Sequence, residues 1–332
     1  MFGDCHIHMI LDSVYYRAAI DHHKEKPDET LIRQRLSDYA ARGVTYLRDG
    51  GDAWGVGLRA SQIAGEYGIT YRTPALNICR AGHYGCFIGK GFSDFAEYKT
   101  LVQEVKRLGG HFIKIMVSGL MDFDRFGVIT DTPCSYDLCH DMISYAHDQG
   151  FAVMAHANGD EAVSNALRAG VDSIEHGAYL SEDTLHLLAQ TKAVWVPTAV
   201  TIANLRGLGR FPDEVLIPLT QLHLANVEKA VAYGAKIALG TDAGAYAVYH
   251  GEAVMQEYDL LKTAIGDRAE AVLTDGEQTI RKKFGPQGRC PHRPSQKPLC
   301  KFLHSGFLIW DIYRKCLCFQ KTCSTGCRGL CW

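Results

Sequence analysis

No stretch of this 332-residue chain approaches the roughly 18 consecutive apolar residues that a membrane-spanning helix needs. The first dozen residues also lack the apolar run of a signal peptide, carrying Asp4, His6, His8 and Asp12 instead. The expectation is a soluble, unexported protein of the cytoplasm with no membrane partner. Cysteine is sparse over residues 1–277, with five scattered positions (Cys5, Cys79, Cys86, Cys134 and Cys139), as suits a reducing compartment. Acid is nearly missing from the other end. Residues 278–332 hold one acid, Asp311, against eleven Lys and Arg, a balance of +10 that leaves −12 on the residues before them. Seven of the twelve cysteines crowd into those same 55 residues, yet no orderly Cys-x2-Cys pair occurs among them.

What remains is an ordinary globular composition, 47% apolar and 22% charged, which excludes disordered, collagenous and coiled-coil classes. Short β-branched runs alternate with amphipathic stretches of helical length up to about residue 265, the pattern of repeated βα units on a parallel sheet. Eight strands are predicted, at 2–9, 44–49, 70–78, 112–118, 152–157, 173–176, 194–199 and 237–242. Helices are predicted at 29–42, 54–67, 94–108, 135–149, 160–169, 181–190 and 213–233, with another beginning near Glu252. Ser181 reads as an N-cap, and Gly43, Gly109, Gly150, Gly170 and Gly234 fall just past helix ends. Eight of each element in about 265 residues matches a (β/α)8 TIM barrel in count and length. An open doubly wound sheet is the alternative, but no glycine-rich phosphate fingerprint follows the first strand. After Gly266 the pattern stops, so the domain reading is a barrel over 1–266 and an irregular, basic, Cys-rich tail over 267–332 that is not a folded domain.

In a barrel, the C-terminal strand ends carry the chemistry. Five of them hold polar residues here: His6 and His8 on the first strand, Lys114 inside an apolar run on the fourth, His156 on the fifth, His176 on the sixth and Asp242 on the eighth. His6 and His8, two apart on a strand, point to one side and can face one ion. Each has an unremarkable alternative: Asp242 could cap a helix, Lys114 could extend its ammonium out of the core, and a single histidine could be structural. Chance would have to place four His, one Lys and one Asp at strand ends together, which favours a metal site.

This ordered set resembles the amidohydrolase superfamily of metal-dependent hydrolases. Segments 112–119, 155–159 and 170–177 are similar to the branch containing imidazolonepropionase and the metal-dependent Xaa-Pro dipeptidases. Lys114 points toward the two-metal, dipeptidase-like members. The resemblance implies that His6, His8 and Asp242 hold one divalent ion and that His156 and His176 hold a second, bridged by an N6-carboxylated Lys114. Zinc is the default for such N/O ligands, with manganese, iron and cobalt as alternatives. A free ammonium beside two dications would be both repelled and desolvated, which favours a modified lysine independently.

The expected reaction is hydrolysis of an amide or peptide C–N bond in a small substrate, of dipeptidase or N-acyl amino acid type, with Asp242 as general acid–base. A lactonase or esterase on the same site and an inactive metal-binding fragment are the alternatives. Residues 80–85 resemble a Gly-Gly-His segment whose histidine faces substrate, with Ala81 where glycine is usual, and so His83 is a candidate substrate contact. Arg80, Arg48 and Arg206 are candidate carboxylate clamps by chemistry alone. The resemblance also implies a flanking β-sandwich, and this sequence is expected to lack most of it. For the tail, a zinc module and a nucleic-acid-binding arm are weaker readings than translation out of the gene's frame. The expected partners are a small molecule and no nucleic acid, with homo-oligomerisation left open.

Overall fold

The computed structural model describes residues 2–286. In chain order the elements are β1 (Asp4–Ile7), α1 (Tyr16–His23), α2 (Glu29–Ala41), β2 (Tyr46–Asp49), α3 (Val56–Ile63), β3 (Thr70–Arg72), β4 (Asn77–Arg80), β5 (Lys90–Phe92), α4 (Phe95–Leu108), β6 (Ile113–Met116), α5 (Tyr136–Asp148), β7 (Val153–Ala157), α6 (Asp160–Arg168), β8 (Ser173–His176), α7 (Glu182–Gln190), β9 (Val194–Val196), α8 (Val200–Ala203), α9 (Asp213–Ala232), β10 (Lys236–Ile237), α10 (Ala253–Ile265) and α11 (Ala269–Lys283).

Local chemistry sets the helix starts. Asp28, Asp94 and Ser135 each accept a bond from a free backbone N–H of the first turn that follows, and Ser181 accepts from Thr184 N at 3.3 Å. Gly109 closes α4 at φ 79°, a left-handed conformation that costs glycine nothing.

All strand pairs are parallel, in two sheets of order β1-β2-β3 and β10-β9-β8-β7-β6-β4-β5. This is an α/β fold in which most strands are buried on both faces, as parallel sheets covered by helices are. Backbone bonds also join the two sheets. Cys5 N donates to Leu239 O (2.9 Å), Thr241 N to His6 O (3.2 Å) and His8 N to Ala243 O (2.8 Å), while on the other flank His111 N donates to Thr73 O (2.8 Å). The strand predicted over 70–78 is two short strands, β3 serving one sheet and β4 the other, with Pro74 between them. Pro74 has no N–H to donate, which fits a break at this point.

The predicted boundary at 266 is corrected. Residues 267–286, assigned to the tail, form a 3-10 turn and α11 and pack into the core. Ile280 and Phe284 join Cys5, Tyr46, Phe112, Met154, Val194 and Val196 in one buried cluster. The Phe284 ring meets Phe112 edge-on at 5.2 Å. The remaining tail readings, with all seven distal cysteines, lie outside the described residues. Among the described helices none is long and apolar enough to cross a membrane.

Candidate active site

The site lies where β1, β6, β7, β8 and the segment after β10 converge. His6 and His8 both direct Nε2 at Asp242, each 3.4 Å from its Oδ1. Ligand atoms of these three residues all lie within 4.8 Å of one another. The His6 ring centre is 5.0 Å from that of His176, which is 4.6 Å from His156. Lys114 is fully buried among them, its Nζ without a hydrogen-bond partner. The strand ends bend sharply to allow this, for His176 (φ 71°) and Asp242 (φ 61°) are both left-handed. Non-glycine residues held there cost about 1–3 kcal/mol and concentrate at functional sites. Gly50 leaves the room in which the His8 ring sits, since a Cβ on it would fall 2.2 Å from His8 Cε1.

A second layer fixes the ligand faces. His6 Nδ1 bonds Glu175 Oε2 at 2.9 Å, which turns the buried, unpartnered Nε2 toward the site. Glu175 is itself gripped by Arg48 Nη2 (2.8 and 3.0 Å) and Ser173 Oγ (2.5 Å). Arg48 stacks 4.5 Å over the Phe284 ring and donates to Cys5 O. Asp4 accepts from Thr241 N (2.9 Å) and Thr241 Oγ1 (2.6 Å), tying β1 to the strand end that carries Asp242. His176 Nδ1 shares a 2.8 Å bond with Thr198 Oγ1.

Burial and neighbouring positive charge keep the imidazoles neutral. His6 and His176 lie well below the ordinary histidine range, and His8 and His156 are pushed down to about 3. Burial also raises Asp242 to about 7, against the pull of the Lys114 charge, and lowers Lys114 to about 8. Neutral imidazoles are the ligating form, and His6, His8 and Asp242 fit a divalent ion as they stand. His156 differs: its Nε2 donates to Gly119 O at 3.0 Å, so that nitrogen is committed here.

His8, Lys114, His156, His176 and Asp242 line the floor of a cavity of about 450 Å³. His83 is not on its wall. Its Nδ1 is bonded to Asp131 (2.8 Å), and its neighbour Tyr84 lines the cavity instead, with its ring 4.7 Å from that of His156. Sequence reasoning missed Tyr84, although it sits next to the flagged histidine. Cys79 and Cys86, two of the five scattered cysteines, are bridged across the loop that carries both residues. Arg48, Arg80 and Arg206 are not clamps in this arrangement. Arg48 serves Glu175, Arg80 donates to Thr132, and Arg206 Nε donates to Ala203 O.

The amidohydrolase family profile matches residues 59–273. The chain belongs to the amidohydrolase family. Among its relatives in the family, the ochratoxinase of Aspergillus niger is 27% identical over 280 residues, covering 72% of this chain and 56% of that protein. An uncharacterised protein of Mycobacterium tuberculosis is 33% identical over 181 residues, 53% of this chain and 48% of its own length. The chain thus spans about half the length of the curated relatives it matches. The A. niger ochratoxinase structure superposes with a TM-score of 0.68 at 20% identity, covering 86% and 72% of the two chains. A Xaa-Pro dipeptidase with bound methionine gives 0.66 at 22%, covering 84% and 75%. At such identity these likenesses concern the fold.

Proposed function

We propose that this amidohydrolase-family chain is a metal-dependent hydrolase of a C–N amide bond in a small substrate. One observation carries the reading: three neutral imidazoles, a buried amine without a partner and a carboxylate converge on the floor of one cavity, with the fourth imidazole, that of His6, packed against them. The bonds joining the two sheets on both flanks support closure into the eight-stranded barrel, in which these residues would sit at the C-terminal strand ends where such barrels work. The volume falls within the roughly 300–1,000 Å³ of small-molecule sites.

His6, His8 and Asp242 would hold one divalent ion, zinc by default. His176, His156 once its ring turns from Gly119 O, and Lys114 as its carbamate would hold a second. Bound there, such ions polarise a carbonyl and lower the pKa of water from about 15.7 toward 7. The chain's own work is proton handling. Water adds to the substrate carbonyl carbon, Asp242 accepts its proton, and Asp242 returns that proton to the leaving nitrogen. The C–N bond breaks to give a carboxylate and an amine.

The test is metal analysis of the purified protein with a hydrolysis screen over Xaa-Pro, Xaa-Arg and N-acyl amino acids. Bound divalent metal and turnover abolished by chelation and restored by zinc are expected. Protein that takes up no metal overturns the reading. Asp242→Asn should retain metal and lose at least about 100-fold in kcat, and near-normal kcat removes Asp242 from proton transfer. His83 would touch substrate only by turning from Asp131 toward the cavity whose wall Tyr84 already lines. His83→Ala should raise KM or depress kcat with metal content unchanged, and unaltered kinetics transfer that role to Tyr84.

A further inference from the structure

The walls of the cavity above its metal-binding floor are almost wholly apolar, built from tyrosines, phenylalanines, leucines and methionines such as Tyr16, Phe87, Met121 and Phe211. Apart from Lys114 and Asp242, both part of the floor, the lining holds one charged side chain of fixed sign, Arg210. Its guanidinium lies 4.2 Å over the Tyr246 ring and 5.4 Å from the centre of Phe211, which in turn packs on Phe123 at 5.3 Å. Two ring faces therefore orient it without using its five N–H donors, and a stacked guanidinium keeps its fork free for a planar anion. Among the described residues no carboxylate pairs with it.

We propose that Arg210 is a substrate-recognition residue, and that the site takes amides with a bulky aromatic or branched aliphatic body and a free carboxylate that the guanidinium grips. This rests on the amide-hydrolase reading above and deepens it. The apolar walls recognise the body by burial and, Arg210 apart, supply no counter-charge for a carboxylate. A lone oriented cation beside them gives bidentate N–H···O bonds to that group and leaves a carboxamide poorly matched. The carboxylate can belong to the leaving amino acid or to the acyl group, and matched probes separate the two.

Binding of N-benzoyl-L-phenylalanine and of its carboxamide is measured by calorimetry on metal-loaded and chelator-treated protein, for the wild type, Arg210→Gln and Arg210→Lys. A third probe, an N-aryl succinamic acid, carries its carboxylate on the acyl side. The wild type is expected to prefer a carboxylate about tenfold to a hundredfold with or without metal, and the probe showing the preference identifies the side. Arg210→Gln should abolish the preference, and Arg210→Lys should restore much of it. A preference that survives Arg210→Gln, or that exists only with metal present, overturns the assignment by sending the carboxylate to the metal floor. Absence of any preference overturns it too. A preference intact in a metal-loaded protein that hydrolyses nothing would instead count against the hydrolase reading and leave the recognition site standing.

Discussion

His6 is aimed by a chain of buried contacts that ends outside the site, passing through Glu175 and Arg48 to the Phe284 ring. The Arg48–Glu175 pair is fully buried, so its members are not interchangeable with apolar residues one at a time. Arg48→Met should destabilise the protein by about 3–5 kcal/mol, because it strands a carboxylate in the core. The double change Arg48→Met with Glu175→Gln should recover much of that stability in urea denaturation. Metal affinity should still be down about 10–100-fold, as expected when the partner orienting a ligating histidine is weakened. Wild-type affinity in the double variant would show that His6 needs no such brace. The sequence makes His6 and His8 legible because their spacing is local. It hides the brace, since Arg48 and Glu175 are 127 positions apart and meet only when β2 and β8 face one interior. For the same reason Arg48 reads as a substrate clamp until the fold consumes its charge.

The elements were legible wherever a periodic run had a clear cap. The strand predicted over 173–176 coincides with β8, and α4 to α7 begin within a residue of their predicted starts. The exceptions have specific causes. The short helix α1 and the edge strand β5 carry too little pattern to read, and α11 was assigned to the basic tail. Its Arg281, Lys282 and Lys283 resemble the onset of that tail, yet they occupy a last helical turn, where positive charge complements the helix dipole. Its opposite face buries Leu273 and Ile280, and Phe284 just past its end is buried as well. Gly276 sits so close to β10 that a Cβ would lie 1.8 Å from Ile237 O. Gly276→Ala should therefore lower the thermal midpoint by several degrees, although in an isolated helix the same change is stabilising. An unchanged or raised midpoint would mean that α11 does not dock against β10. Phe284→Ala, which empties an aromatic from the core, should cost about 3–5 kcal/mol.

At the scale of the whole molecule, buried neutral histidines make the fold sensitive to acid. His223 on α9 is buried, donates Nε2–H to Pro197 O at 3.0 Å, and leaves Nδ1 without a partner. Burial holds it down to about 4 from an ordinary 6.5. Between those pH values the unfolded chain carries the extra proton and the folded one does not. Stability is therefore complete above pH 6.5 and is lost as pH falls toward 4, by roughly 3 kcal/mol from this residue. His223→Gln keeps a donor for Pro197 and cannot charge, so in metal-free protein its urea midpoint should fall less between pH 7 and pH 4.5 than that of the wild type. Equal falls would place the acid sensitivity elsewhere. The alternation of strand and helix made the α/β class readable across this whole span. The seams were not readable, because bonds such as Cys5 N to Leu239 O depend on how far the sheet curls.

Those seams also set a timetable for synthesis. His6 leaves the ribosome more than 230 residues ahead of the groups that fix its neighbourhood, Thr241, Asp242, Glu277 and Phe284. The earliest ligand must wait, unpaired, for almost the last helix described, and any pause in translation between β10 and α11 would prolong the interval in which β1 lacks a partner on that side.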